Sequence, residues 1–266
     1  MRPRLCRPRL AGVGLVAFAV GPLLWALRTS LTPEGSPGWP WGPLTLWHYQ
    51  KILGRDFFYQ YAGNTLAVAL GATAVSLPPA LAGGYALARY RFWGRGCAPW
   101  LLALPLLPVV TFLVPLSRTM NRLGLYDTLL ILVLANAALA LPFAVWMLRN
   151  YVRSVPVEIE EAARLDGCGT AGLIVRVALP CMLPGAAAVG AFVFVQSWNN
   201  FVFAYALTTD ESLRVLPKAV VNFIGSWRTD WGGLMAVGIL TLLPPLALFQ
   251  LVQRWFVAGL FGWSGK

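Results

Sequence analysis

The sequence predicts an all-α integral membrane protein with six transmembrane helices, and three observations carry that prediction. Hydrophobic residues make up 58% of its 266 residues and charged ones 12%, far more apolar than a soluble domain of this length. Six apolar runs of about 20 residues can be drawn, each able to cross roughly 30 Å of hydrocarbon at a rise of about 1.5 Å per residue. The Asp and Glu residues all fall between those runs, as expected where a charge in lipid is expensive. The net charge of +11 does not point to nucleic acid, because the basic residues form no Lys/Arg block and no interleaved aromatic-basic patch.

The spans are placed at 10–27, 59–88, 98–116, 128–148, 184–207 and 231–252. This divides the chain into an amino-terminal arm with the first span (1–30), an external loop (31–58), a core of spans two to six (59–252) holding a cytoplasmic loop at 154–182, and a tail (253–266). An even number of spans puts both termini on one side. The larger share of the 21 Lys and Arg, from Arg2, Arg4, Arg7 and Arg9 to Arg149, Arg153, Arg164 and Arg176, falls on that side, which is therefore read as cytoplasmic. Cys6, Cys97, Cys168 and Cys181 map there too, so reduced thiols are expected and no disulfide.

Arg2 to Arg9 ahead of an apolar run also resembles a secretory signal peptide. The run is longer than such peptides use, and Trp25-Ala26-Leu27-Arg28 is not a small-residue cleavage site, so an uncleaved first span is expected. The following loop is rich in Pro, Gly and Trp; Trp39, Trp41, Trp47 and Tyr49 suit the membrane interface. His48, the only histidine, sits among them; without Cys or carboxylate companions it makes no metal site or triad and is read as another interfacial residue.

The second span opens with Asn64-Thr65-Leu66 and carries Pro78-Pro79, which predicts a kink or an end that leaves the bilayer. It closes with Tyr85-Ala86-Leu87-Ala88-Arg89-Tyr90-Arg91-Phe92 and Gly94-Arg95, whose arginines anchor the chain at the inner surface. The third span is broken by Pro99, Pro105, Pro108 and Pro115, as suits a helix lining a cavity, and 116–128 is read as a short external connection. The fourth carries Asn136 and Pro142 and leaves through Trp146, Arg149 and Arg153.

The segment 156–185 is polar and helix-compatible, between two apolar runs. Ser154 and Pro156 supply helix-start chemistry, and Glu158, Glu160 and Glu161 suit the positive end of a helix dipole. Gly167 ends that helix. Thr170 is placed to cap a second, shorter one with Leu173, Ile174 and Val177 on one face, and Pro180 is expected to push Leu179 out of helical geometry. Two short helices at an angle, too small to fold alone, are thus held by their flanking spans and presented to a partner.

The fifth span reaches Gln196-Ser197-Trp198-Asn199-Asn200-Phe201, the densest polar cluster in any apolar run. Amides and an indole suit a neutral hydroxylated solute, and they equally suit polar bonding between helices; both readings stay open. Residues 210–230 are external, and the sixth span contains Pro244-Pro245.

Some chemistry is missing. None of Lys51, Lys218 and Lys266 lies in a phosphate-binding Gly-x-x-x-x-Gly-Lys-Ser/Thr loop, so the chain cannot power itself with ATP. Spans without carboxylates disfavour a proton- or sodium-coupled carrier. There is no paired carboxylate, metal-ligand cluster or Ser/His arrangement for an enzyme, so no catalytic residue and no metal site is expected.

The spacing Glu161-Ala162-Ala163, three residues, Gly167, nine residues, Val177, one residue, Leu179-Pro180 resembles the EAA loop of permease subunits in binding-protein-dependent ATP-binding-cassette (ABC) importers. Val177 stands where that family usually has isoleucine. The Asn64-Thr65-Leu66 opening, the aromatic-arginine closing and the Trp198-Asn199 pair resemble its carbohydrate branch, which commonly has aspartate in place of Asn200. The tail from Gly259-Leu260 is also similar, though Gly262-Trp263-Ser264-Gly265-Lys266 departs from the usual Gly-Ala-Val-Lys. The resemblance implies the type I ABC importer permease fold, in a bacterial or archaeal cell membrane. It implies import of a sugar or oligosaccharide with a second permease, two ATPase subunits and a solute-binding protein, ATP and Mg being bound by the ATPases and no cofactor by this chain. It assigns coupling to the ATPase to Glu161, Ala162, Ala163, Asp166, Gly167, Leu179 and Pro180, with Glu161 in an ion pair, and leaves Asn136, Gln196, Trp198, Asn199 and Asn200 as candidates for the solute path. A permease of the same machinery for glycerol phosphate or another polyol derivative, and a self-sufficient secondary carrier, are the alternatives.

Overall fold

The structure, a computed structural model, describes residues 6–33, 41–91, 96, 100–223 and 229–261. The expectations placed on Arg2, Arg4, Trp39, Phe92, Gly94, Arg95, Cys97, Pro99 and the tail residues 262–266 lie outside the described residues, as do those on the side chains of Cys6, Arg7 and Arg9.

The regular elements are helices: α1 (Cys6–Ser30), α2 (Trp47–Leu53), α3 (Asp56–Arg89), α4 (Val110–Arg122), α5 (Leu129–Ser154), α6 (Glu158–Leu165), α7 (Thr170–Gly172), α8 (Leu179–Trp198), α9 (Phe201–Leu207), α10 (Leu216–Ala219) and α11 (Trp231–Phe261). A π-helical turn, Leu173–Ala178, makes α7 and α8 one rod. Among the described residues, four helices are long and apolar enough to cross a membrane: Asp56–Arg89, Leu129–Ser154, Thr170–Trp198 and Trp231–Gln253. A fifth crossing would combine Trp100–Leu106 with Val110–Arg122, which meet at 90°, and Gly14–Ser30 is apolar but shorter.

The chain forms two compact units, residues 1–60 with 218–243 and residues 61–217 with 244–266. In the first, Ile52, Ala236 and Val237 make a small core with Tyr49 and Phe58 around it. The Arg28 guanidinium donates to the Gly42 carbonyl at 2.7 Å, and Ser30 and Tyr49 share a 2.7 Å hydroxyl bond.

In the second unit α5 is the central helix. Ala80 of α3, Ala140, Ala144 and Leu148 of α5, and Val189 and Val193 of α8 form one buried cluster. In lipid, where no hydrophobic drive favours one helix over the surrounding tails, close packing of small residues holds helices together. Gly84 of α3 lies so near α5 that a Cβ there would stand 2.7 Å from the Leu148 Cβ and 3.0 Å from the Arg149 nitrogen. Gly185 of α8 is likewise pressed on the Tyr151 ring.

Several expected boundaries are corrected. α3 runs from Asp56 to Arg89 through Pro78 and Pro79 as one helix, three residues longer than expected at its start and one at its end. The third apolar run is no single helix: it turns through 90° at Pro108, before which Leu107 is extended (ψ 132°) as the residue preceding a proline prefers, and α4 then carries on to Arg122, through the stretch read as a connection. α5 extends six residues past the expected end at Leu148, to Ser154. The fifth span stops at Trp198 and restarts at Phe201. Residues 31–58 contain α2, and α11 continues through 253–261.

Candidate functional site

The polar segment after α5 forms a compact corner. α5 ends at Ser154 and is capped by Val155, α6 follows with Glu158, Glu160 and Glu161 in its first turn, and Gly167 closes it at φ +80°. Gly167 N–H donates to the Arg164 carbonyl at 3.1 Å and Cys168 N–H to Ala163 at 3.0 Å, the paired bonds of a Schellman stop that needs left-handed backbone. Glycine takes that conformation without the clash a Cβ brings.

Three local expectations fail here. Ser154 bonds back to the Tyr151 carbonyl at 2.7 Å and does not cap α6, whose N-cap is Val157. Thr170 is the first residue of α7, after Gly169, and caps nothing. Leu179 is helical (φ −61°, ψ −48°), so the second short helix is instead the start of the α7–α8 rod. The π turn explains this: Pro180 lacks an N–H and its ring would strike the carbonyl four residues back, and the wider i→i+5 turn relieves both.

α6 has two unlike sides. Ile159 and Glu160 face inward, lining a narrow gap with Val177, Ala178, Cys181 and Met182. Glu160, 4% exposed, accepts from Tyr85 Oη at 2.8 Å and from Arg89 Nε at 2.7 Å, while Arg89 Nη2 donates to the Val155 carbonyl at 2.8 Å. Outward, Glu158, Glu161, Ala162, Leu165, Asp166 and Gly167 are exposed, Leu165 at 88%. Ala163 is half-buried, and Leu179 and Pro180 are exposed in the first turn of α8. So Glu161, Ala162, Asp166 and Gly167 share one exposed surface. Sequence reasoning missed Leu165, an apolar residue beside Gly167, and the partners of Glu160; Tyr85 and Arg89 stood in the aromatic-arginine motif, whose target the sequence did not reveal. Cys168 and Cys181 are free thiols.

The polar cluster sits at the break between α8 and α9. Asn200 caps α9, its Oδ1 accepting from Phe203 N–H at 3.1 Å; Asn199 is exposed and donates to the Val195 carbonyl at 3.0 Å. Trp198, 2% exposed, stacks on Phe194. Asn136 donates to the Leu132 carbonyl at 2.8 Å, and its Oδ1, the Ser197 hydroxyl and the Gln196 Oε1 have no hydrogen-bond partner among the described residues. Asn136, Ser197 and Asn200 line one enclosed cavity of about 10 Å³, the size of a single water. A larger apolar groove, about 680 Å³, runs between α4, α5 and α9 and includes Phe112, Met120, Leu134 and Phe203. None of the five candidate path residues lines it.

The expectation that His48 lacks a carboxylate companion is corrected: it is buried, with Nδ1 3.7 Å from Asp230, which the fold brings to it from a distant part of the sequence, and Lys51 stands equally near the other Asp230 oxygen. Among the described residues no group of three or more His, Cys, Asp or Glu could hold a metal ion.

Residues 79–262 match the family model described as the binding-protein-dependent transport system inner membrane component. The putative ABC transporter permease protein ORF1 of Streptomyces antibioticus is 39% identical over 217 residues, 81% of this chain and 95% of that one. The diacetylchitobiose uptake system permease protein DasC of Streptomyces coelicolor is 32% identical over 259 residues, 95% of this chain and 94% of that one. The trehalose transport system permease protein SugB of Mycobacterium tuberculosis is 29% identical over 92% of each chain. A chain of a bacterial ABC transporter involved in the import of alginate superposes with a TM-score of 0.75 at 20% identity, covering 96% of this chain and 99% of that one, which makes the fold that of ABC importer permeases. This chain therefore belongs to the family of binding-protein-dependent transport system inner membrane components, as a membrane permease subunit and not an enzyme.

Proposed function

We propose that this chain carries a sugar or oligosaccharide, delivered by an extracytoplasmic solute-binding protein, across a bacterial or archaeal inner membrane. It works with a second permease subunit and with two ATPase subunits that bind ATP and Mg. The observation that carries this reading is α6 with its outer face bare and its inner face anchored, set between α5 and α8. The saccharides in the names of the diacetylchitobiose and trehalose permeases support the solute class.

Both termini and α6 face the cytoplasm. Glu161, Ala162, Ala163, Asp166 and Gly167, with Leu165 as an apolar contact and Leu179 and Pro180 beside them, dock in a cleft of the ATPase. ATP-driven closure of the ATPase pair moves α6, and α5 and α8, joined to it by short connections, transmit that movement to the solute path. Asn136, Gln196, Trp198, Asn199 and Asn200 are assigned to that path because they surround a mid-chain helix break, where backbone and amide groups become available to a solute.

Mild detergent extraction from the native membrane, followed by mass spectrometry of what co-purifies, tests the proposal. A chain with a Walker-type phosphate loop and a second multi-span protein are expected, and vesicles of that complex, supplied with its solute-binding protein, should take up labelled trehalose or diacetylchitobiose only with ATP. Solute movement by the chain alone, without ATP, would overturn it.

A further inference from the structure

The buried network beneath α6 joins three elements through one side chain. Arg89 is the last residue of α3. Its Nε bonds Glu160 of α6 at 2.7 Å and its Nη2 bonds the carbonyl of Val155, the residue capping α5, at 2.8 Å. Tyr85, one turn earlier on α3, adds a 2.8 Å bond to the second Glu160 oxygen. Both charges suit their places: a cation at the carbonyl end of α3 and an anion in the first turn of α6.

An exposed ion pair would be a weak link, but this one is enclosed, with Tyr85 buried above it and Val155 at 5% exposure beside it. Separating the partners would leave the Glu160 carboxylate, its side chain 6% exposed, with little water and no counter-charge, so parting the two helices carries a penalty. The guanidinium is also a two-pronged fork, which fixes direction as well as distance.

We infer that Arg89, with Tyr85 and Glu160, is a positioning residue that ties α6 to the end of α3, so that displacement of α6 by an ATPase carries α3 with it as well as α5 and α8. Glu160 is then an internal anchor and Glu161 the outward contact: adjacent glutamates on one helix, one buried and one exposed. The inference rests on the docking role of α6 proposed above.

The test places spin labels at Arg91 and Arg164, both exposed and neither assigned to the docking surface, in the co-purified transporter, and measures their separation without nucleotide and with MgATP trapped by vanadate. In the otherwise unaltered complex the separation should be the same in both states. Arg89→Met combined with Glu160→Met removes the tie without leaving a lone buried charge, and the separation should then shift by more than about 2 Å between states. A shift in the unaltered complex, or none in the double variant, overturns the inference. If the double variant fails to accumulate, Arg89→Gln combined with Glu160→Leu, which also leaves no lone buried charge and no acceptor on α6, is read by the same two outcomes. An unaltered chain that brings down no ATPase is the separate signature of a failed docking reading, and it removes this inference with it.

Discussion

Asp127 accepts hydrogen bonds from both the backbone N–H and the hydroxyl of Thr209, at 2.8 and 2.7 Å, across 82 positions of sequence. The same carboxylate receives the Asp210 N–H, and Asp127 sits at φ +57°, a left-handed conformation that Asp and Asn tolerate best among residues with a Cβ. The connection entering α5 is thereby fastened to the chain leaving α9. Asp127→Ala should destabilise the detergent-solubilised protein by about 1–3 kcal/mol, and Asp127→Asn by less, because the amide oxygen still accepts. Thermal unfolding checks the order; equal melting of all three proteins would show that the fastening is idle.

Gly84 lets α3 lie close against Leu148 of α5. Gly84→Val should cost about 1–3 kcal/mol through overpacking and lower the amount of chain recovered from the membrane. Gly83→Ala is the control: its Cβ would meet Val145 at 3.4 Å, an ordinary contact. Quantitative immunoblotting of membranes distinguishes them, and a Gly84→Val protein as abundant as the control would contradict the packing described.

At Gly167 the prediction concerns coupling. Valine in left-handed backbone costs roughly 1–2 kcal/mol and redirects the chain after α6, so Gly167→Val should leave the protein in the membrane while uptake per ATP hydrolysed falls severalfold. Normal uptake in vesicles of the variant transporter would sink the role assigned to this turn.

The outer face of α6 should be separable from its inner face. Glu161→Gln and Leu165→Ser change exposed side chains, so both proteins should melt like the parent, while the ATPase recovered with them should fall about tenfold for a lost interfacial contact worth about 1.4 kcal/mol. Undiminished recovery of ATPase with both variants would remove α6 from the docking surface.

Asn200 offers a way to decide between solute contact and helix capping. Asn200→Ala loses the cap on α9, about 1 kcal/mol, whereas Asn200→Asp keeps an oxygen for the Phe203 N–H. If uptake falls in Asn200→Asp while its melting temperature holds, the side chain meets solute; if uptake and melting fall together in the alanine variant alone, it serves only the helix.

The sequence by itself determined the class of protein, the polarity of its segments and the position of the glycine-stopped corner after α5. Those are set by local quantities: apolar run length against bilayer thickness, glutamates in a first turn, and a glycine where only left-handed backbone closes the helix. Tertiary structure decided the rest. Whether the helix continues through Pro78-Pro79, whether Pro180 ends a helix, and where the third run turns depend on how much neighbouring helices offset a lost backbone bond, which no local rule contains. The most consequential case is Arg89 and Glu160, separated by 71 positions. Each reads alone as an anchor or a dipole-matched charge, and only the packing of α3 on α5 brings them to 2.7 Å in a place where neither can part from the other.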